Sequence, residues 1–558
     1  MQITAQIALI LLLFAAGLRP GSVFSQENAS APSAAAFVHP DYPNGSGTTL
    51  GQQIETLLAD PSVARAHWGI AVTTLDSTPL YGHDEGKLFR PASNNKIFTT
   101  ATAMALLGPG KTFDTRVFGK LDVATGTVTG DLTLVGGGDA NFGADDLPYT
   151  PRAEKATEPP SPPALTDLTA LVDQLVAEGV KRITGDIVGD DTLYPYEPYA
   201  ESWAQDDEVW GYGAPVSALS IANNQIKLIV TPGTSDGAGG YRPGTVKLEQ
   251  SVPYYSVKAQ VETTAAGAHV DGVAEERQPG SRLIRVYGSI AVDAAPDVEE
   301  LAIADPAEYA AMTLRSMLMR RGIAVSGRAR AKHQPSSDTG GYRVEVLTPD
   351  PCDTTALAGG TCTTDCRDEA PGPAGTVLAS HTSASLADDV MLTNKVSQNL
   401  HAELLLHNLG RQSACGDGST LAGGRFIRAN LLHAGLDPDD FLFFDGSGLS
   451  DHDLVTPRAT ATFLAYAAKQ PWFAQWKASL PDAGDEGSLR RRFPDSPVKG
   501  HIFAKTGTLG ESRALSGYLN ATSGRTVIFS IFVDNHTPAT TSDRDTMDKI
   551  VTAIAAAE

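Results

Sequence analysis

From Trp68 the stretch "WGIAVTTLDSTPLYGHDEGKLF" alternates apolar and polar residues on both sides of a Ser-Thr-Pro turn, which predicts an antiparallel strand pair. Immediately afterwards "IFTTATAMALLGPG" sets apolar residues at helical spacing and stops at Gly-Pro-Gly, so a helix follows the strands. The middle of the chain reads differently. "GKLDVATGTVTGDLTLVGGGD", "KRITGDIVGDDTLY" and "GTVKLEQSVPYYSVKAQVETTAAG" are short strand-like runs broken by Gly and Asp. After about residue 378 helical spacing returns in "SLADDVMLTNKVSQNLHAELLLHNLG" and "GGRFIRANLLHAGL". The chain closes with "HIFAKTGT", "ALSGYLNA" and "TVIFSIFVD", three strands in hairpin order, and the helical "MDKIVTAIAAA". Strands at both ends with helices between them predict an α/β domain assembled from residues 51–111 and 371–558. Residues 112–370 then form an inserted, mainly β region, read as two nested domains. A length of 558 residues agrees, since it exceeds what one core usually supports.

Composition narrows the function. Lys and Arg number 43 against 65 Asp and Glu, a net charge of −22, and the longest basic run is Arg490-Arg491-Arg492. Such a chain repels nucleic acid and anionic lipid, so no nucleic-acid partner is expected. The apolar run Ile7–Leu18 is too short for a bilayer span, which needs about 20 residues, and suits the core of a signal peptide over residues 1–25, although no Lys or Arg precedes it. The expectation is an exported, periplasmic protein without a stable membrane span, loose membrane association being left open. Residues 26–50, rich in Ser, Ala, Pro and Gly, read as a flexible segment, and the proline-rich 152–163 as a surface loop. Cys352, Cys362, Cys366 and Cys415 lack metal-ligand spacing; disulfides, in any of three connectivities, or free thiols remain.

Ser93-Asn94-Asn95-Lys96 falls where the strand pair meets the helix. On one helical turn, positions i and i+3 are neighbours, so the lysine amine can reach the serine hydroxyl. Serine is also a preferred N-cap, and Ser496-Pro497-Val498-Lys499 shows how cheaply the spacing arises. Two further motifs shift the balance. Ser397-Gln398-Asn399 opens a helix, and Lys505-Thr506-Gly507 lies in a late strand. Each supplies something that the first motif needs. Lys505 is a second cation able to depress the pKa of Lys96, and with Thr506 it can bind a substrate carboxylate. Gly507 would let an extended substrate approach the strand. Ser397 can relay a proton, and the Asn399 amide can hold substrate or lysine. The backbone N–H groups of Ser93 and Thr508 are the oxyanion-hole candidates.

Ser-x-x-Lys, Ser-x-Asn and Lys-Thr-Gly in this order match serine penicillin-binding proteins and β-lactamases. With about 300 residues between Ser93 and Ser397 and about 110 between Ser397 and Lys505, the chain resembles the penicillin-binding protein 4 family of D-alanyl-D-alanine carboxypeptidases and endopeptidases, the low-molecular-mass class C group. "LTLVGGGDANF", "YGAPVSALSIANNQ" and "FFDGSGLSDHDLVTP" support the likeness from about residue 50 onward. The resemblance implies a penicilloyl-serine-transferase domain, α/β, with an antiparallel sheet flanked by helices and two nested mainly β insertions. It implies Ser93 as nucleophile, Lys96 as base and Ser397 as relay. Substrates would be peptidoglycan stem peptides ending in D-Ala-D-Ala, or cross-links, with acylation by β-lactams and no cofactor or metal. It also places an insert aspartate over the cleft, and Asp207 matches best, against the plain alternative of a solvated acidic loop. Gln398 stands where relatives often carry Asp, without touching the chemistry.

Three rivals remain at this stage. A metallopeptidase would need His401 and His407 on one helix face, yet six residues turn about 240°. A β-lactamase would ordinarily lack so long an insertion, and no water-activating glutamate can be assigned. A wall-binding protein with a fossil site predicts decay of a catalytic position, and all five are present. Oligomeric state and the diamino acid of the stem are not legible.

Overall fold

The structure, a computed structural model, describes residues 37, 39–44, 47–151, 165–237, 239–268, 270–336, 341–348, 372–412, 416–484, 486–493, 496–537 and 540–558. The expected signal peptide, the proline-rich loop and all four cysteines lie outside them. Every element below belongs to the body Asp41–Glu558.

Helix α1 (Thr49–Leu58) begins where the Thr48 hydroxyl accepts the Gly51 N–H at 3.0 Å, so the segment read as flexible to residue 50 is already helical at its end. Strands β1 (His67–Thr74) and β2 (Pro79–His83) pair antiparallel, and helix α2 (Asn95–Leu106) follows.

The inserted region contains β3 (Asp114–Gly119), β4 (Leu132–Val135), α3 (Thr166–Ala177), β5 (Ile187–Tyr196), β6 (Gln225–Thr231), β7 (Thr245–Glu249), β8 (Ser256–Thr264), β9 (Gly272–Arg277), β10 (Leu283–Ala291), β11 (Asp297–Ala302), α4 (Pro306–Arg320) and β12 (Ala329–Pro335). Two three-stranded sheets, β7-β6-β11 and β8-β10-β9, are nested within it. A five-stranded mixed sheet has the order β12-β5-β4-β3-β13, where β13 is Thr376–Thr382. β13 corrects one expectation. The boundary at 371 assigned it to the domain built from the chain ends, yet it pairs with β3 of the insert from Thr376 opposite Gly119 to Thr382 opposite Asp114. The chain crosses between the two regions at Phe113 and Ser383, where the Ser383 N–H donates to the Phe113 carbonyl at 2.8 Å and the Phe113 N–H to Ser383 Oγ at 3.0 Å.

Beyond the crossing come α5 (Leu386–Val396), α6 (Asn399–Gly410), α7 (Thr420–His433), α8 (Pro457–Ala467), α9 (Phe473–Ser479), β14 (Ile502–Leu509), β15 (Ser512–Asn520), β16 (Thr526–Asp534) and α10 (Ser542–Ala557). The strands from both chain ends form one antiparallel sheet ordered β2-β1-β16-β15-β14. Its middle strand β16 is largely apolar because both faces of the sheet are covered. In β16, Val527, Phe529, Ile531 and Val533 pack with Ile54 and with Ile550, Val551 and Ile554 of α10, whereas Ile528 and Phe532 meet Phe98, Phe463 and Trp476. Each such fully buried large side chain contributes about 1.5–3 kcal/mol. This sandwich holds β14 as a rigid edge strand beside the start of α2, and that junction is where the three motifs converge.

Candidate active site

Ser93 sits in a single 3-10 turn, Ala92–Asn94, that leads into α2. Its two asparagine neighbours fix the turn from opposite sides. Asn94 Nδ2 donates to the Lys505 carbonyl at 3.1 Å, tying the turn to β14. Asn95 Nδ2 donates to the Asp445 carbonyl at 2.8 Å and to Asp453 Oδ2 at 3.0 Å. Ala92 is held at φ +46, a left-handed conformation costly for a residue with a side chain. It faces Gly448, where a Cβ would lie 1.8 Å from the Ala92 carbonyl oxygen, so only glycine allows this approach. The capping alternative for Ser93 finds no support among the described residues. The N-cap of α2 is Asn94, without a side-chain cap bond, and the Ser93 hydroxyl instead accepts Lys96 Nζ at 3.0 Å.

Lys96 is completely buried. Besides Ser93, its amine donates to Asn399 Oδ1 at 2.6 Å and to the Ser447 carbonyl at 2.7 Å. The two oxygens can only accept hydrogen bonds; of the three partners the hydroxyl alone can also donate. When the ammonium loses one proton, its two remaining N–H bonds stay on Asn399 and Ser447 and its lone pair faces Ser93 Oγ. Burial pushes Lys96 down to about 8, while Asp445, Glu403 and Asp453 pull it upward.

Ser397 joins α5 to α6 in a left-handed conformation, φ +62, which turns the chain sharply and leaves the residue half-buried at the cleft. Gln398 is the N-cap of α6, its side chain accepting the Leu400 N–H at 3.0 Å. Lys505, also fully buried, donates to Ser397 Oγ at 2.8 Å and to the Thr506 carbonyl at 3.0 Å. Burial first, and then the charge of Lys96, hold it well below the usual lysine range. Desolvation is the largest cause for both amines, and the mutual repulsion of two buried cations acts in the same direction.

Thr506 is half-buried and Thr508 exposed, on the edge strand β14. Gly507 has a structural reason besides the one expected. A Cβ there would lie 2.6 Å from the Pro91 carbonyl oxygen and 3.2 Å from Ala92 Cβ, so the glycine makes room for the Ser93 turn itself. Asp207 starts a short 3-10 turn of the insert, half-buried, and accepts the Tyr212 hydroxyl at 2.8 Å. The Tyr212 carbonyl in turn accepts Asn399 Nδ2 at 2.9 Å, which connects the Asp207 turn to the second motif. Burial raises the Asp207 pKa, and Asp206 adds to the rise.

Sequence reasoning missed the support beneath Lys96. Glu403 of α6 accepts the N–H groups of Ser447 at 2.8 Å and Gly446 at 3.0 Å, and Asp445 accepts those of Gly448, Leu449 and Ser450. Together they aim the Ser447 carbonyl at the amine. Trp203 of the insert donates its indole N–H to Asp445 at 3.0 Å, pinning the same loop. "FFDGSGLSDHDL" was visible as a stretch, but a backbone acceptor has no side-chain signature. The metallopeptidase alternative fails on geometry: His401 bridges Asp389 and Asn223, whereas His407 bonds the Gly418 carbonyl. In the second Ser-x-x-Lys, Ser496 Oγ lies against Thr552 Oγ1 at 3.4 Å, and no hydrogen bond joins it to the Lys499 amine among the described residues.

A serine one turn from a buried lysine, facing Ser-x-Asn at a helix junction and Lys-Thr-Gly on the edge of an antiparallel sheet, defines the penicilloyl-serine-transferase class. The model of the D-Ala-D-Ala carboxypeptidase 3 (S13) family matches residues 50–341 and 353–555, and the chain belongs to that family. It is 31% identical over 501 residues to the D-alanyl-D-alanine carboxypeptidase of Actinomadura sp. (strain R39), covering 88% of this chain and 81% of that one. Identity to the D-alanyl-D-alanine carboxypeptidase DacB of Haemophilus influenzae is 23% over 478 residues, 84% and 85% of the two chains. The crystal structure of penicillin binding protein 4 from Haemophilus influenzae superposes with a TM-score of 0.69 at 20% identity, over 90% of this chain and 98% of that one, and shows the same fold. The protein is thus a serine-type hydrolase of the D-Ala-D-Ala carboxypeptidase family.

Proposed function

We propose that Ser93 is acylated by peptidoglycan stem peptides, releasing either a terminal D-Ala or the far side of a cross-link, with water then freeing the product. The observation that carries this reading is the set of three partners around Lys96 Nζ, which leaves the lone pair of the neutral amine directed at Ser93 Oγ. Lys96 takes the Ser93 proton as the hydroxyl oxygen attacks the carbonyl carbon. The Ser93 and Thr508 N–H groups receive the developing oxyanion. As the amide C–N bond breaks, the proton passes from Lys96 towards the leaving amine, with the Ser397 hydroxyl as relay beside Lys505. Thr506 and Thr508 hold the carboxylate of the leaving residue. Asp207, tied to Asn399 through Tyr212, meets the amine of the diamino-acid side chain.

β-Lactams acylate the same serine; a solved complex of the Haemophilus influenzae relative with a β-lactam, superposing at a TM-score of 0.65 and 20% identity, is consistent with that. The working compartment is the periplasm, reached through the N-terminal signal. No helix among the described residues is long and apolar enough to cross a membrane. D-Ala release from a pentapeptide tests the assignment: wild type releases it and Ser93→Ala does not, and equal release by both would overturn the role of Ser93.

A further inference from the structure

Between β14 and the start of α10 lies a cavity of about 770 Å3 that shares Thr506, Gly507 and Thr508 with the site. Its size falls in the range of about 300–1,000 Å3 usual for ligand pockets. Five arginines line it, against two aspartates, in a protein whose net charge is −22. Arg492 is held by Asp548 and Arg513 by Asp543. Arg490, Arg491 and Arg544 have no ion-pair partner among the described residues, and Arg491 and Arg544 are exposed. Guanidinium groups gathered round one hollow repel one another, and an anion carrying several charges relieves that repulsion. The hollow is continuous with the carboxylate-binding strand, because Ser488 on its wall bonds Thr506, Oγ to Oγ1, at 2.7 Å.

A single D-Ala is a small leaving group with one carboxylate. The leaving half of a cross-link is a whole peptide with several, each a bidentate match for a guanidinium. We infer that this arginine-lined cavity binds the carboxylate-rich leaving peptide of a cross-linked substrate, so that the protein is built for endopeptidase turnover. The inference rests on the acyl-transfer role of Ser93 and the carboxylate-binding role of Thr506 and Thr508.

The test compares wild type with the double variant Arg491→Gln, Arg544→Gln on a pentapeptide and on a cross-linked muropeptide dimer, with fluorescent-penicillin labelling alongside. The variant should lose about tenfold in kcat/KM on the dimer, mainly through KM, with pentapeptide release and labelling unchanged. Added salt should slow wild-type dimer cleavage more than pentapeptide cleavage. Equal losses on both substrates, an unaltered dimer rate, or a wild type that labels with penicillin yet leaves the dimer intact would each overturn the inference. A wild type that neither labels nor releases D-Ala would instead overturn the Ser93 reading, and this one with it.

Discussion

Replacing Lys96 by methionine keeps an unbranched apolar stem in a completely buried position and removes only the amine. If that amine is the base, acylation must follow its neutral fraction. With a pKa of about 8, roughly one molecule in ten is competent at pH 7 and nine in ten at pH 9. The second-order rate constant for acylation by a fluorescent penicillin should therefore rise about tenfold across this window, with its midpoint near 8. Lys96→Met should lose about 10²–10⁴-fold, the usual worth of a positioned general base, and its residual rate should not vary with pH. Rapid-quench labelling at a series of pH values measures both. A wild-type profile flat from pH 7 to 9, or a methionine variant that keeps the rise, would refute the assignment of Lys96 as base.

The same lysine governs stability with a definite sign. Because its pKa is lowered from 10.5 to about 8 on folding, its burial cost is complete below about 8 and disappears above 10.5; wild type should gain about 3 kcal/mol relative to Lys96→Met as pH rises through that window, read by denaturant unfolding. Gly507→Ala forces a Cβ to within 2.6 Å of a backbone oxygen, so it should cost about 1–3 kcal/mol and slow penicillin acylation together, whereas a glycine kept only for substrate clearance would leave stability unchanged. Asn95→Ala strips a buried donor from the Asp445 carbonyl and from Asp453, and the denaturation midpoint should fall by the equivalent of about 2–3 kcal/mol with an unaltered m-value.

Much of the frame was legible because its signals are local. The alternation from Trp68, the three closing strands and the helical spacing after Leu386 each belong to one element. The order of Ser93-x-x-Lys96, Ser397-x-Asn399 and Lys505-Thr506-Gly507 carried the chemistry because each motif needs the others. What stayed hidden depends on partners far along the chain. "TVLASHT" reads as a strand, yet nothing in it says that it pairs with Asp114–Gly119. Glu403 lies inside an apolar helical run, and only the fold turns its carboxylate to the Gly446 and Ser447 amides. The Ser447 carbonyl is a main-chain group that any residue could supply. Gly507 was noticed, but its neighbour across the gap is Pro91, more than 400 residues earlier in the sequence.

Mass spectrometry of the intact protein after exposure to benzylpenicillin, followed by peptide mapping, bears most directly on the central claim. The predicted result is one penicilloyl adduct, carried by the peptide that contains Ser93 and absent from Ser93→Ala. An adduct mapped to another residue, or an unmodified wild type under conditions where it releases D-Ala, would contradict the account.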